Sequence, residues 1–354
     1  MYWRKGRLVF ENYLTRRQVT AEPLTASLLH FFDRWKSFAA LCAAMPQYAP
    51  SSLKRAVAQL AQHSLLQRSD HPLPTNHAAM TAWSEWNPAA AYFHLSTRDV
   101  KFEADDATEF RALVRLAKSK PIPLPIKRYP KAKKISLPKS SADNAFARVL
   151  LDRRTWRKFS TENVPLSTLG NLLDLTWGVR QWVTLPKIGS VALKTSPSGG
   201  AMHPIEAYVL ARNVEGLSAG FYHYNAADHR LELLKNGATS RDVTRLLAHQ
   251  WWYGPAAFVV FLAAVFERTR WKYDYARAYR AVLIEAGHLC QTFCLAATSM
   301  GLAPFCTMAF ADTKIEKVLG LDGISESVLY VAGAGMKPER GGKMANILGG
   351  AAMG

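Results

Sequence analysis

The sequence predicts a protein of helices and strands in two unequal parts, and three observations carry that reading. One long helix is written into 271–312, where Leu283, Ala286, Cys290, Phe293, Ala297 and Met300 recur in alternating steps of three and four. A hairpin pattern around Asn225 to Asp228 and the unbroken apolar run Ala256 to Phe266 supply strands, the second of them buried on both faces. Between the parts, the stretch from Pro121 to Lys134 combines prolines with positive charge, cannot be helical, and marks an extended linker.

Residues 3–20 read as a short strand or two, with Leu8, Phe10 and Tyr13 as apolar members. Three short helices follow. The first carries Leu24, Leu28, Phe31, Phe32 and Trp35 on one face, the second runs from Phe38 to Met45, and the third starts near Ser51 with Leu53, Val57 and Leu60 opposite Lys54 and Arg55. Closed by Leu65 to Arg68, they outline a winged-helix-like domain over 1–70. Such a domain could read DNA through its third helix, but Lys54 and Arg55 are its only evident contacts, so nucleic acid is not the expected partner.

Residues 71–142 are connective: a helix with Trp83 and Trp86, a charged helix from Asp99 to Lys118, then the linker. The second domain spans 143–340, and a Gly-rich tail, 341–354, has too little apolar periodicity to pack as a unit. Within the domain, Phe146, Val149 and Leu150 face one helix and Pro165 to Gly178 gives another. Strands follow at Ile205 to Ala211, at the hairpin, at 256–266 and at Ser327 to Ala332. The long helix ends at Gly301, with Pro304 beyond it and a turn leading into Cys306-Thr307-Met308.

About half of the 354 residues are apolar and a fifth are charged, which suits a folded protein with a substantial core. The net charge of +18 is uneven, with 22 Lys and Arg against 10 Asp and Glu in residues 1–140. Such a field draws phosphates, nucleic acid or acidic peptides without selecting among them. Cys42, Cys290, Cys294 and Cys306 lack C-x-x-C spacing, so neither a disulfide framework nor a metal site is expected.

The N-terminal MYWRKGRLVF lacks an apolar run followed by a small-residue cleavage site, and the apolar run from Ala256 through Val265 to Phe266 is well short of the ~20 residues that span a membrane. A cytoplasmic location without a membrane partner is the expectation. Gly-x-Gly-x-x-Gly, the P-loop and His-Glu-x-x-His are all absent from the sequence.

Three stretches carry chemistry. Arg153-Arg154-Thr155-Trp156-Arg157-Lys158 presents guanidinium forks and a hydroxyl suited to a phosphate, although a charge run alone is more often a solvated surface. Thr195-Ser196-Pro197-Ser198-Gly199-Gly200-Ala201-Met202-His203-Pro204 is a loop whose glycine pair lets backbone amides approach a ligand. Trp271-Lys272-Tyr273 puts a proton donor and acceptor beside aromatic surface. A lysine desolvated there has its ammonium form disfavoured and can serve as a base.

Taken in order, Arg153 to Phe159, Ser196 to Tyr208, Gly220-Phe-Tyr-His-Tyr, and Tyr279-Arg with Glu285-Ala-Gly-His resemble the nitroreductase superfamily, most of all its SagB-type, azoline dehydrogenase branch. The likeness covers about 145–340, and 1–70 resembles the winged-helix-like extension of that branch. It implies an α+β fold, a mixed or antiparallel sheet flanked by helices, binding FMN in a groove at a homodimer interface.

By the resemblance, Arg153, Arg154, Thr155 and Arg157 hold the phosphate and the polar ring edge, and Ser196, Pro197, Ser198 and Gly199 line the flavin. Gln291, Lys337, and the backbone of Thr307 and Met308 complete the cofactor set. Lys272 and Tyr273 match the branch's catalytic pair, with Tyr275 and Tyr279 as alternative proton partners. His203 replaces an aromatic residue of the relatives, which leaves substrate preference open, and His288 reads as a packing residue.

The implied reaction oxidises thiazolines or oxazolines in a ribosomally made peptide to thiazoles or oxazoles, beside a YcaO-type cyclodehydratase. A general NAD(P)H-dependent nitroreductase or flavin reductase is the alternative enzyme. A non-catalytic scaffold or nucleic-acid-binding subunit using the winged helix is the alternative outside enzymes.

Overall fold

The computed structural model describes residues 1–338 apart from Arg16, 73–82, 101, 103–105, 121, 122, 124, 128, 129, 132, 139–142 and 188. The tail at 341–354 and part of the Pro-rich linker, which the sequence singles out, lie outside the described residues. Contacts group Met1–Arg98 with Asp274–Arg277 as one unit and the described remainder as a second. The division falls after Arg98, ahead of the linker in which the sequence places it. The helix at Asn87–Ser96 stays with the N-terminal strands, where Tyr92 donates a hydrogen bond to Glu11 across 3.4 Å.

The first unit opens with three antiparallel strands, β1 (Tyr2–Arg4), β2 (Arg7–Asn12) and β3 (Arg17–Thr20), rather than one or two. Helices α1 (Pro23–Phe31), α2 (Phe38–Ala44) and α3 (Pro50–Gln62) follow. Pro23 and Pro50 begin their helices, where the missing N–H has no intrahelical partner to lose. Leu28, Leu41, Leu53 and Leu60 close the core of this unit, each worth about 2 kcal/mol by burial. Lys54 and Arg55 stay exposed on the opposite side of α3. Helix α4 (Asn87–Ser96) adds a second cluster, in which Trp86 is fully buried and Trp83 stacks on His94 with ring centres 5.0 Å apart.

In the second unit α5 (Asp106–Ser119), α6 (Ala145–Asp152) and α7 (Leu166–Trp177) precede a hairpin of β4 (Val179–Leu185) and β5 (Gly189–Lys194). Next come β6 (Ile205–Ala211), β7 (Gly220–Asn225), β8 (Arg230–Asn236), α8 (Ser240–Leu246) and β9 (Phe258–Val265). The chain finishes with α9 (Phe266–Lys272), α10 (Ala278–Ser299), β10 (Leu302–Thr307), α11 (Asp312–Leu319) and β11 (Glu326–Met336). Six strands form one antiparallel sheet in the order β10-β11-β9-β6-β7-β8. The fold is α+β, as expected.

Strand β9 is buried from Phe258 to Ala264 because it lies inside the sheet, with β6 and β11 on its two edges. Helix α10 lies on the sheet and against α7 through Val282, Ala286, Leu289, Phe293 and Ala297. The Phe293 ring meets Trp177 and Phe258 edge-on, at 6.2 and 6.3 Å. By length and composition α10 could cross a membrane, but its buried residues pack as a core helix does.

Gly301, at φ 78°, ends the helix and turns the chain directly into β10. Cys306 and Thr307 therefore sit in a strand rather than in a turn, and Met308 follows its end. Pro304 is tolerated there because β10 is an edge of the sheet, and its carbonyl accepts the Trp156 N–H at 2.9 Å from outside.

Candidate functional site

The loop from Thr195 to Pro204 joins β5 to β6 and is fastened to α10 between Glu285 and Thr292. Ser196 Oγ lies 2.7 Å from Thr292 Oγ1, and the Pro197 carbonyl 3.4 Å from His288 Nδ1. Ser198 donates to Glu285 Oε2 across 2.5 Å and accepts the His203 N–H at 2.9 Å. These bonds hold a strained turn. Gly200, Ala201 and His203 have φ of 68°, 58° and 44°, a region costing a residue with a Cβ about 1–2 kcal/mol.

Gly200 is where the expected catalytic pair arrives. Lys272 Nζ donates to the Gly200 carbonyl at 3.2 Å and stands 5.6 Å from the centre of the Tyr273 ring. A Cβ at Gly200 would lie 2.5 Å from Tyr273 Oη and 2.7 Å from Lys272 Nζ, so the absent side chain is what lets both groups come this close. The alternative tyrosines are placed differently. Tyr279 is buried with its ring tilted on Phe266, and Tyr275 is exposed and groups with the other unit.

The desolvation expected of Lys272 is not supplied by the fold. Lys272 is exposed and Trp271 is 68% exposed, because α9 turns Phe266 and Thr269 inward and leaves its last turn at the surface.

Beneath the loop lies a set of buried charges that the sequence reading missed. Burial pushes the Glu285 carboxyl up to about 7, against the Ser198 hydrogen bond and the charges of Lys194 and Arg268. For Glu206, burial acts in the same direction but loses. His223 Nε2 is 3.1 Å from Glu206 Oε2 and Arg268 pairs with Oε1, which together bring that carboxyl down to about 2. His203 is held down to about 4 by burial first and then by the Lys194 charge, while its Nε2 lies 3.0 Å from the Ala192 carbonyl. Burial also lowers Lys194. One carboxylate is thus fixed as an anion while its neighbour is balanced near neutrality.

A second group of expected residues gathers around Trp156 and the end of β11. The segment after α6 runs beside β10 and the end of β11, with Ser160 N–H donating to the Met336 carbonyl at 2.9 Å. Lys337 Nζ lies 5.8 Å from the centre of the Trp156 ring, which brings it to the Arg153–Lys158 segment. The Arg153 charge acts on Cys294 and Cys306, and that of Arg157 on Tyr253. Arg154 turns back instead, donating to the Leu151 and Arg153 carbonyls at 2.7 Å and capping α6.

Thr307 Oγ1 lies 3.1 Å from Gln250 Nε2, and Gln250 also donates to the Ala309 carbonyl. The hydroxyl is therefore engaged in shaping the chain after β10. Gln291 and Met308 are exposed.

Cys290 and Cys294 share one face of α10, and Cys306 meets them from β10. The three sulfurs lie within 4.8 Å of one another. Their i, i+4 spacing was the available signal, since it places two thiols on one helix face. The signal for Glu206 was a carboxylate entering an apolar strand, which demands a charged partner.

The residues present fit FMN. Arg153, Arg157 and Lys337 offer cationic donors suited to a phosphate around Trp156, and the Ser196–Gly200 loop, fastened to α10 at Glu285 and Thr292, offers a close backbone surface suited to a flat ring.

Residues 150–336 match the Nitroreductase family model, a family of oxidoreductases. The chain belongs to the nitroreductase family. It is 31% identical over 191 residues to the nitroreductase-like protein MJ1384 of Methanocaldococcus jannaschii, covering 54% of this chain and 90% of that one. It is 34% identical to the trifolitoxin-processing protein TfxB of Rhizobium leguminosarum bv. trifolii, over 45% of this chain and 43% of the relative. The microcin B17-processing protein McbC of Escherichia coli is 32% identical, over 41% and 55%.

The matches to the two processing proteins thus span about half their lengths. In fold, the chain is similar to a chain in the E. coli microcin synthetase McbBCD complex with truncated pro-MccB17 bound. That likeness has a TM-score of 0.55 at 23% identity, covering 77% of this chain and all of that one.

Proposed function

We propose that this protein is an FMN-dependent dehydrogenase that oxidises thiazolines or oxazolines in a ribosomally made peptide to the aromatic azoles. The observation carrying this reading is the arrival of Lys272 Nζ and Tyr273 Oη at Gly200, in the loop assigned to the flavin. Its likeness to proteins named for processing microcin and trifolitoxin supports the peptide substrate.

Arg153, Arg157 and Lys337 hold the FMN phosphate, Thr155 adds a hydroxyl, and Ser196 to Gly199 line the ring. FMN, when bound, would supply the two-electron acceptor for the hydride that the azoline ring loses. The adjacent ring hydrogen leaves as a proton to Lys272, with Tyr273 beside it to relay that proton to water. Because Lys272 is exposed in this chain, the arriving peptide supplies the desolvation that favours its neutral form. Glu285 acts through Ser198, fixing the loop on which the pair rests.

The exposed Phe146, Leu150, Ile284 and Met308 support burial of this face in a homodimer. The basic first unit, winged-helix-like in its helices, serves docking of the peptide or of a YcaO-type cyclodehydratase, and a cytoplasmic setting goes with such a synthetase. A second reading, an NAD(P)H-dependent nitroreductase, is favoured by the length of the match to MJ1384. Purified protein assayed on an azoline peptide and on NAD(P)H with a dye separates the two, with the released cofactor identified by mass. Dye reduction without azoline oxidation would establish the second.

A further inference from the structure

The thiols of Cys290, Cys294 and Cys306 have no part in the reading above. Cys290 and Cys294 are buried, Cys306 is half-buried, and all three are free. Their sulfurs lie within 4.8 Å of one another. An ion bound equally by three sulfurs at about 2.3 Å holds them about 4 Å apart, so each pair here is within a side-chain adjustment of a trigonal set.

We propose that these three cysteines form a binding site for a monovalent soft metal ion, Cu(I). Thiolate-only ligation selects Cu(I), Zn(II) or iron–sulfur clusters over harder ions. Three donors, with no fourth His, Cys, Asp or Glu among the described residues of the group, satisfy trigonal Cu(I) but not tetrahedral Zn(II). The Tyr330 hydroxyl donates to Cys306 Sγ at 3.6 Å, an outer contact of the kind that orients a ligand sulfur.

Cys306 is the most open of the three and gives the ion its way in. Binding replaces thiol protons with the ion and involves no electron transfer.

The test is an anaerobic titration of the reduced full-length protein against the coloured Cu(I)–bicinchoninate complex. One equivalent of Cu(I) should transfer to the wild type and to Cys42→Ser, and affinity should fall at least about 100-fold in Cys306→Ser, at or beyond the upper range for loss of an outer-shell contact. Since a core substitution can disturb folding, alkylation read by mass spectrometry on the wild type serves as the second measurement. Added Cu(I) should protect Cys306, the one of the three open to reagent, and leave Cys42 reactive. No transfer of Cu(I), protection that includes Cys42 or omits Cys306, or preferential binding of Zn(II) would each overturn the proposal.

Discussion

Ser198 and Glu285 are joined by a 2.5 Å hydrogen bond that ties the Ser196–Gly200 loop to the long helix. Glu285 is only 4% exposed, and what it touches sets both the shape of the loop and its own protonation. Unlike Glu206, it has no arginine within ion-pair distance among the described residues; His203 Nδ1 stands 3.8 Å from its Oε1.

The first prediction concerns that protonation. With its carboxyl raised to about 7 from 4.5, the folded state holds a proton that the unfolded chain releases. Stability from this group is therefore fully present below pH ~4.5 and declines as pH rises to about 7, by roughly 3 kcal/mol. Glu285→Gln should flatten that part of a plot of Tm against pH. Parallel curves for variant and wild type would count against the assignment.

Glu206 should behave oppositely. Its carboxyl, lowered to about 2, contributes stability above the unfolded value near 4.5 that is lost as pH falls toward 2. Arg268→Ala removes one partner from a mostly buried carboxylate. With Arg268 itself 41% exposed, the loss in urea unfolding should be about 2 kcal/mol, below that of a fully buried pair.

The arginines should separate by role. Arg153→Ala or Arg157→Ala should weaken FMN binding about 10- to 100-fold, the scale of a charge-assisted hydrogen bond. Arg154→Ala should change it about twofold or less, since Arg154 caps its own helix. Fluorescence quenching of added FMN measures all three, and equal losses would remove the distinction.

Gly200→Ala tests the close approach of the pair. The new methyl would need a positive φ and would meet Tyr273 Oη and Lys272 Nζ. Azoline oxidation should fall about 10-fold or more while FMN affinity changes little. Unchanged turnover would show that the pair can work at a greater distance.

The long helix and β9 were legible because each has a single dominant pattern, a repeated three-and-four step in one and an unbroken apolar run in the other. β10 was not. Its six residues contain Pro304, and they become a strand only through pairing with β11 and the bond from Trp156. The β4–β5 hairpin was hidden because Trp182 and Leu193 are exposed, so no alternation marks a buried face.

The site divides in the same way. Local motifs pointed to Arg153, Ser198, Lys272 and Tyr273, whereas Glu206 and Arg268 meet only through the register of β6 on β9 and the start of α9. The expected desolvation of Lys272 failed because adjacency to a tryptophan in sequence does not place that tryptophan over the lysine.

The most direct measurement of the central claim is Lys272→Ala, assayed on an azoline-containing peptide and on NAD(P)H-driven dye reduction with the same FMN-loaded preparation. Azoline oxidation should fall by about 10²- to 10⁴-fold, the contribution of a positioned base, while dye reduction persists. Equal retention of both activities would contradict the assignment of Lys272 as the base.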